Sequence, residues 1–382
     1  MNNKIEALYI HIPFCVAKCN YCDFLSFPGC SEELKERYIS CLKTEAVLRK
    51  KQFQLEKVKL NTVFLGGGTP TCLSGGLLND ILLFIKDTFQ LQDKVEISIE
   101  ANPGTIDEGK LAVLKKAGVN RLSLGVQSFA EELLRNLGRI HSINEIQESF
   151  SFARKVGFTN INLDLMYGLP GQTIKHWEHT LIKTIELEPE HISTYQLKIE
   201  EGTPLGNKLT RGEIQEFDDE IALEMYQLAQ DYLTEAGYIQ YEVSNFTKPG
   251  FRCRHNCTYW LTKPYLGLGA GAHSFYPPLR FFNKGNLSAY LDSLEKGELP
   301  PVEKEILSLE ELMSETMFMG LRLLEGVNLT EFQNRYKVKA TSIFNDAIEK
   351  CIRLGLIEFS GENLRLTREG LYLGNLVFQE FI

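Results

Sequence analysis

The sequence predicts an α/β fold: a partial (β/α)6 barrel of the TIM-like kind, followed by a small winged-helix-like α+β domain. Two observations carry this. Between residue 8 and about residue 198, six short apolar runs alternate with longer amphipathic stretches. After Pro300 and Pro301 the pattern changes to helices and a closing hairpin.

The runs are Leu8–Ile12, Thr62–Leu65, Val95–Ile99, Arg121–Leu124, Asn160–Leu163 and His191–Tyr195. Each is β-branched or leucine-rich and short, as a buried parallel strand is. Glu33–Lys50, Leu77–Phe89, Ile106–Ala117, Ile143–Val156 and Thr173–Leu187 carry helical spacing between them. Asp107 and Ser142 suit N-caps, and Gly118 and Gly157 suit helix stops. Six βα units imply a parallel sheet with helical crossovers, two short of a closed barrel. A doubly wound open sheet has the same strand count.

We therefore expect a barrel core over residues 1–238. An irregular segment, rich in proline and glycine, is expected over 239–298, completing the barrel mouth, and a C-terminal domain over 299–382. In that domain Leu309–Leu324, Leu329–Tyr336 and Thr341–Leu354 read as helices, and Leu356–Phe359 with Leu364–Thr367 as a hairpin.

The chain has 382 residues, with 41 Lys and Arg against 50 Asp and Glu, a net charge of −9. That balance argues against nucleic acid as a partner, and the C-terminal domain is itself more acidic than basic. No apolar run reaches the ~20 residues needed to span a bilayer. The amino-terminal residues Met1 to Glu6 lack a basic region leading into an apolar core, so a cytoplasmic location is expected. Contact with a membrane surface is compatible with this reading; an integral span is not.

Of nine cysteines, Cys15, Cys19 and Cys22 are crowded just after the first predicted strand. Three thiolates with gaps of three and two residues can wrap one face of a cuboidal 4Fe–4S cluster and leave one iron open. Structural zinc takes four ligands, and the next cysteine, Cys30, stands eight residues further on.

Other polar groups fall at the carboxyl ends of predicted strands, where ligands bind in such folds. Gly66-Gly67-Gly68-Thr69-Pro70 follows the second run, and Glu100 ends the third. Gln127 follows the fourth, Asp164 ends the fifth, and Arg139 lies twelve residues after Gln127. Adjacent glycines let backbone N–H groups approach a ligand closely. Asp164 and Gln127 suit ribose hydroxyls, and a guanidinium fork such as that of Arg139 suits a carboxylate. Singly, each of these residues has an ordinary structural explanation; their common location favours a ligand site.

The stretch from Tyr9 to Cys22 resembles the radical SAM superfamily, and the motif order is similar to its coproporphyrinogen-oxidase-like branch over nearly the whole chain. The resemblance implies a radical SAM barrel with a 4Fe–4S cluster on Cys15, Cys19 and Cys22. Its open iron would chelate S-adenosylmethionine (SAM), whose sulfonium an electron from the cluster cleaves to a 5′-deoxyadenosyl radical. It further implies SAM contacts at Tyr9, Tyr21, Gly67, Gly68, Thr69, Glu100, Gln127, Arg139 and Asp164, with Lys198 and His273 near two more.

Two features divide the branch. Its oxidases carry a further cysteine two residues after the third ligand, and an extension before the barrel. Here Phe24 holds that position and eight residues precede Tyr9. Conversely, His255-Asn256-Cys257-Thr258-Tyr259-Trp260 resembles the signature of the branch's haem chaperones. The resemblance implies haem as cargo, with His255 as axial ligand and Tyr259 and Trp260 against the porphyrin; Cys253 and Cys257 are alternative ligands. Tyr259 and Trp260 could equally pack beneath the barrel mouth, with His255 bonded to a loop. Apo-haemoproteins, chiefly of the respiratory chain, are the implied recipients, and a flavodoxin or ferredoxin the implied electron donor. A coproporphyrinogen III oxidase, or a radical SAM methyltransferase, is the alternative. Oxidase activity is not expected, and no residue is assigned a catalytic role.

Overall fold

The computed structural model describes residues 4–382; Met1, Asn2 and Asn3, part of the stretch considered as a leader, lie outside the described residues. Six parallel strands form where the runs predict them. They are β1 (Ala7–Ile12), β2 (Lys59–Gly67), β3 (Gln90–Ala101), β4 (Arg121–Gln127), β5 (Ile161–Tyr167) and β6 (His191–Gln196). They lie side by side in sequence order. A doubly wound sheet reverses its winding part-way, and this one does not, so right-handed crossovers place the intervening helices on one face. The expected half-barrel is the observed fold.

Those helices are α1 (Glu32–Gln52), α2 (Gly75–Thr88), α3 (Glu108–Lys116), α4 (Ile143–Val156) and α5 (Ile174–Glu186). Each starts on a Ser, Thr or Asp side chain (Ser31, Ser74, Asp107, Ser142, Thr173) that accepts a first-turn N–H. Gly157, at φ 93°, ends α4 in the left-handed conformation that glycine adopts without strain.

The strands have two unlike faces. Leu8, Ile10, Val63, Leu65, Ile97, Ile99, Leu122 and Leu124 bury against the helices in the main core. The alternate residues, Thr62, Glu96, Ser98, Arg121, Ser123, Asn162 and His191, are also buried, on the inner face. The inside of the half-barrel is therefore polar, a period-two pattern within what first reads as apolar runs.

The segment 239–298 corrects an expectation: it is regular. Strands β7 (Ile239–Glu242) and β8 (Asn245–Thr247) extend the sheet antiparallel beyond β6, after the helix α6 (Asp219–Glu235). A short helix, α7 (Arg254–Trp260), follows. Beyond β1 lie β9 (Tyr265–Leu268), parallel to it, and then antiparallel β10 (His273–Tyr276), β11 (Leu279–Asn283) and β12 (Val302–Ile306). The result is one sheet of 12 strands. The prolines and glycines taken for irregularity occupy turns: Gly269 and Gly271 have positive φ between β9 and β10, and Pro277 and Pro278 lie between β10 and β11.

Buried Glu45 of α1 ties this edge to the barrel. It accepts from Gly269 N–H (2.8 Å), Asn283 Nδ2 (2.7 Å) and the Tyr290 hydroxyl (2.7 Å), beside the Arg49 guanidinium.

The C-terminal part has its own core of Met313, Met317, Phe332, Tyr336, Leu364 and Phe381. A helix over Leu329–Tyr336 forms as predicted, and α8 (Leu309–Gly320) starts where predicted but ends four residues earlier. The helix expected over Thr341–Leu354 is broken at Phe344 into Ala340–Ile343 and Asn345–Arg353. Strands Val327–Asn328, Ile357–Ser360 and Asn363–Leu366 make a three-stranded sheet, giving the helix-and-wing form. Among the described residues no helix is long and apolar enough to cross a membrane.

Candidate functional site

The cysteine loop is clamped at its ends. Phe14–Cys15 pairs with Phe27–Pro28, and Phe27 N–H donates to Pro13 C=O at 2.7 Å. Its middle docks on the far wall of the mouth: Asn20 N–H donates to Leu137 C=O (2.9 Å), and Leu205 N–H to Asn20 C=O (2.8 Å). Cys15, Cys19 and Cys22 are half-buried and free of disulfides. Burial pushes the Cys15 and Cys22 thiols above their ordinary range.

One chain of hydrogen bonds joins residues from widely separated motifs. Arg139 donates through Nη2 to the Tyr21 hydroxyl (2.8 Å) and through Nη1 to Asn102 Oδ1 (2.7 Å). Asn102 Nδ2 donates to Thr69 Oγ1 (2.8 Å), which lies 3.6 Å from Cys15 Sγ. Asn102, which was not among the predicted site residues, is the link, and it follows Glu100 at the same strand end. The Arg139 Nε is buried with no partner among the described residues, so one donor of the fork stays uncommitted.

The glycine turn is packed against β1 and the start of the cysteine loop too closely to admit a side chain. A Cβ at Gly68 would stand 2.6 Å from Phe14 C=O, and one at Gly67, where φ is 107°, would strike the His11 ring at 2.3 Å. Gly67 N–H donates to Glu100 (3.0 Å). Burial, followed by the charge of Asp164, raises the Glu100 carboxyl to about 7. Asp164 is held by the Ser123 hydroxyl (2.9 Å) and Asn162 Nδ2 (2.8 Å). Gln127 sits at φ 66°, beside a register shift in the β4–β5 pairing, so its side chain is re-aimed at the strand end.

The Tyr9 hydroxyl donates to His11 Nδ1 (3.0 Å), because His11 Nε2 must donate to Leu25 C=O (3.1 Å). His11 is a second residue the motifs did not single out. Lys198 is exposed and paired with Glu200, and exposed His273 is stacked on Phe282, so neither is brought into this group.

The His255–Trp260 motif lies elsewhere than expected. It forms α7, whose first turn is held by Glu96: the carboxylate accepts from Arg254 N–H and His255 N–H (3.0 Å each) and from the Cys253 thiol (3.7 Å). His255 is 1 % exposed, with Nδ1 on the Thr62 hydroxyl (2.8 Å) and Nε2 on the Tyr259 hydroxyl (2.8 Å). Thr62 stands four residues before the Gly66 turn, so the motif sits below the mouth, on the inner face, rather than completing it. Burial and the nearby Arg121 charge push the His255 imidazole down to about 3, keeping it neutral. Tyr259 meets Tyr265 edge-on at 4.7 Å, and Arg322 lies over Trp260 at 4.5 Å. Tyr259 and Trp260 are themselves only partly buried. The thiols of Cys253 and Cys257 are raised by burial to about 12 and about 11.

Residues 9–183 match the Radical SAM superfamily, and residues 307–373 match the HemN C-terminal domain. The heme chaperone HemW of Bacillus subtilis (strain 168) is 38 % identical over 379 residues, covering 99 % of each chain. That of Escherichia coli (strain K12) is 35 % identical over 375 residues, covering 97 % of each. In fold, the chain superposes on the coproporphyrinogen III oxidase HemN of Escherichia coli with a TM-score of 0.87, at 24 % identity, over 99 % of this chain and 90 % of that one. A half-barrel with a triple cysteine loop at its mouth and a winged tail, matched along its whole length at this identity, belongs to the HemW family of the radical SAM superfamily.

Proposed function

We propose that this chain is a haem carrier that takes up haem and passes it to apo-haemoproteins of the respiratory chain, in the cytoplasm. Its cofactors in this reading are a 4Fe–4S cluster on Cys15, Cys19 and Cys22 and SAM at the mouth above them. The full-length similarity to proteins named as heme chaperones carries the reading. The His255–Trp260 signature, and Phe24 where the branch's oxidases have a cysteine, support it.

The residues fit both cofactors. Three free thiols lie on one clamped loop, the glycine turn packs against that loop with no room for a Cβ, and Arg139, bonded to Tyr21 of the loop, keeps one guanidinium donor uncommitted. When bound, the cluster supplies an open iron for SAM and an electron for its sulfonium, delivered by a flavodoxin or ferredoxin. The chain's own part is placement. Glu100 receives the ammonium, Asp164 and Gln127 the ribose, Tyr21 the adenine, Arg139 the carboxylate, and Gly67, Gly68, Thr69 and Tyr9 line the methionine end.

Glu100 makes this reading sensitive to pH. A carboxyl raised to about 7 is largely neutral below that pH and cannot pair with an ammonium. SAM affinity of the reconstituted protein should fall as pH drops below about 7, by up to about tenfold per unit. Folding stability runs the other way: with the folded-state value above the unfolded one, Glu100 stabilises less as pH rises from about 4.5 to about 7. Calorimetric SAM titrations between these values check the binding slope, and Glu100→Gln should flatten it; an unchanged slope in that variant removes Glu100 from the ammonium site.

Haem ligation by His255 requires one of its two ring hydrogen bonds to open, since both nitrogens are engaged. Haem titration of the anaerobically reconstituted protein, followed by transfer to an apo-cytochrome, tests the function. A Soret band in the wild type that shifts or weakens in His255→Ala is expected. Conversion of coproporphyrinogen III to protoporphyrinogen IX by this protein would overturn the reading in favour of the oxidase.

A further inference from the structure

Helix α7 ends on a residue whose backbone is strained. Thr262 closes the last turn: its N–H donates to Tyr259 C=O (3.0 Å), and the next N–H, of Lys263, donates to Thr258 C=O (2.9 Å). Its φ is 44°. That is the left-handed conformation glycine usually supplies after a helix, and a β-branched residue adopts it only under constraint. Here the constraint comes from the C-terminal domain. Arg335, on the helix Leu329–Tyr336, donates through Nη1 to Thr262 Oγ1 (2.7 Å) and through Nη2 to Thr262 C=O (3.1 Å). The Thr316 hydroxyl of α8 lies 3.1 Å from that of Thr262, and Arg322, just beyond α8, covers Trp260. Glycine at this position would relieve the strain, but it would also remove the hydroxyl that Arg335 and Thr316 engage.

The turn held in this way carries Tyr259, whose hydroxyl occupies His255 Nε2. The other ring nitrogen faces Thr62, which is buried within β2. Tyr259 is only partly buried and stands at a helix end, so its bond to the ring is the one that can open. With the ring proton on Nδ1, directed at Thr62, Nε2 presents the lone pair that a haem iron needs, and the Tyr259 hydroxyl donates into it. Fraying of the last turn frees that lone pair. The first turn, anchored on Glu96, keeps the ring in place meanwhile.

We propose that Arg335 is a positioning residue of the haem site. Through Thr262 it holds α7 in a closed form with Tyr259 on His255, and the C-terminal domain must release α7 before haem iron reaches the ring. Strain stored at Thr262 favours that release once Arg335 lets go. The proposal rests on the haem-carrier reading.

The test uses the full-length, anaerobically reconstituted protein, with Arg335→Gln, Arg335→Lys and Thr262→Gly beside the wild type. Haem should associate with Arg335→Gln roughly tenfold faster, and bind more tightly, because a larger fraction of the protein has Nε2 free. Arg335→Lys keeps the charge without the fork and should fall between the two. Thr262→Gly loses the hydroxyl contacts, keeps the carbonyl, and should also take up haem faster than the wild type. Without haem, hydrogen exchange at the amides of residues 261–263 should quicken in Arg335→Gln, while that at residues 254 and 255 stays unchanged. A merely structural role for Arg335 predicts weaker haem binding in these variants. Weaker binding or an unchanged rate therefore overturns the proposal and leaves the haem-carrier reading standing, as does unchanged exchange at residues 261–263. If Arg335→Gln does not fold, Thr262→Gly, which relieves strain, decides by the same readings. Haem uptake by none of these proteins overturns the haem-carrier reading and the proposal with it.

Discussion

Cys19→Ala should abolish the visible absorbance of the reconstituted iron–sulfur cluster and, with it, SAM binding. The cluster reading uses three thiolates from one loop, so removing the middle one leaves two, too few to hold a cuboidal cluster with an open iron. The loop itself should survive. Its ends are fixed by the Phe14–Cys15 and Phe27–Pro28 pairing, and its centre by Asn20, none of which involves the Cys19 side chain. Folding stability should change by less than about 1 kcal/mol, the usual scale for a partly exposed position away from the core. Iron and acid-labile sulfide content, the absorption spectrum and a SAM titration measure the effect, with Cys30→Ala as the control that leaves all three unchanged. An unaltered spectrum in Cys19→Ala removes that residue from the ligand set.

Glu96→Ala should be the most damaging change for stability, at about 3 kcal/mol, and it should disturb haem uptake as well. The carboxylate is buried and accepts two backbone N–H groups and a thiol at the first turn of α7. Its loss leaves those donors unsatisfied in the interior, and each such group costs about 1–3 kcal/mol. It also removes the anchor that presents His255 to Thr62 and Tyr259. Glu96→Gln, which keeps an acceptor oxygen, should recover part of the loss. Denaturant unfolding of the three proteins gives the ranking, and haem titration reports whether α7 is still correctly seated. A Glu96→Ala protein as stable as the wild type would show that α7 is held by its packing against α8 and not by this carboxylate.

The strands and major helices of the half-barrel were legible because their signals are local. A run of four or five residues, a Ser, Thr or Asp cap and a closing glycine each act within a few residues, so β1 to β6 and α1 to α5 form where periodicity places them. The region after residue 239 was not. Its prolines and glycines read as breaks, yet they occupy turns between short strands whose partners, β1 and β6, are far away in sequence. Strands of three to five residues carry little pattern of their own and are fixed by pairing with an existing edge.

The candidate site divides in the same way. Cys15, Cys19 and Cys22, the glycine turn, Glu100 and Asp164 could be picked out from spacing and strand-end position. Asn102 and His11 could not, because their roles lie in reaching Arg139 and Thr69, or Tyr9 and Leu25, across the mouth. The polar lining was written plainly in the sequence, as the alternation Glu96, Ser98, Glu100 and Arg121, Ser123, but a count of apolar residues hides it. The largest displacement concerns His255, Tyr259 and Trp260. Their residue types suit a haem face; in the fold His255 is buried against Thr62, while Tyr259 and Trp260 stay half-buried beside Tyr265 and Arg322.

By itself, then, the sequence determined the order of the βα units, the triple-thiol loop and the chemistry gathered at the strand ends, since each depends on spacing along the chain. Only the tertiary structure decided which side chains meet: the Tyr21–Arg139–Asn102–Thr69 chain and the seat of α7 on Glu96. The physical reason is that a hydrogen bond or a burial penalty depends on distance in space, and these partners are brought together only when the sheet curls and the chain's later strands close onto its edges.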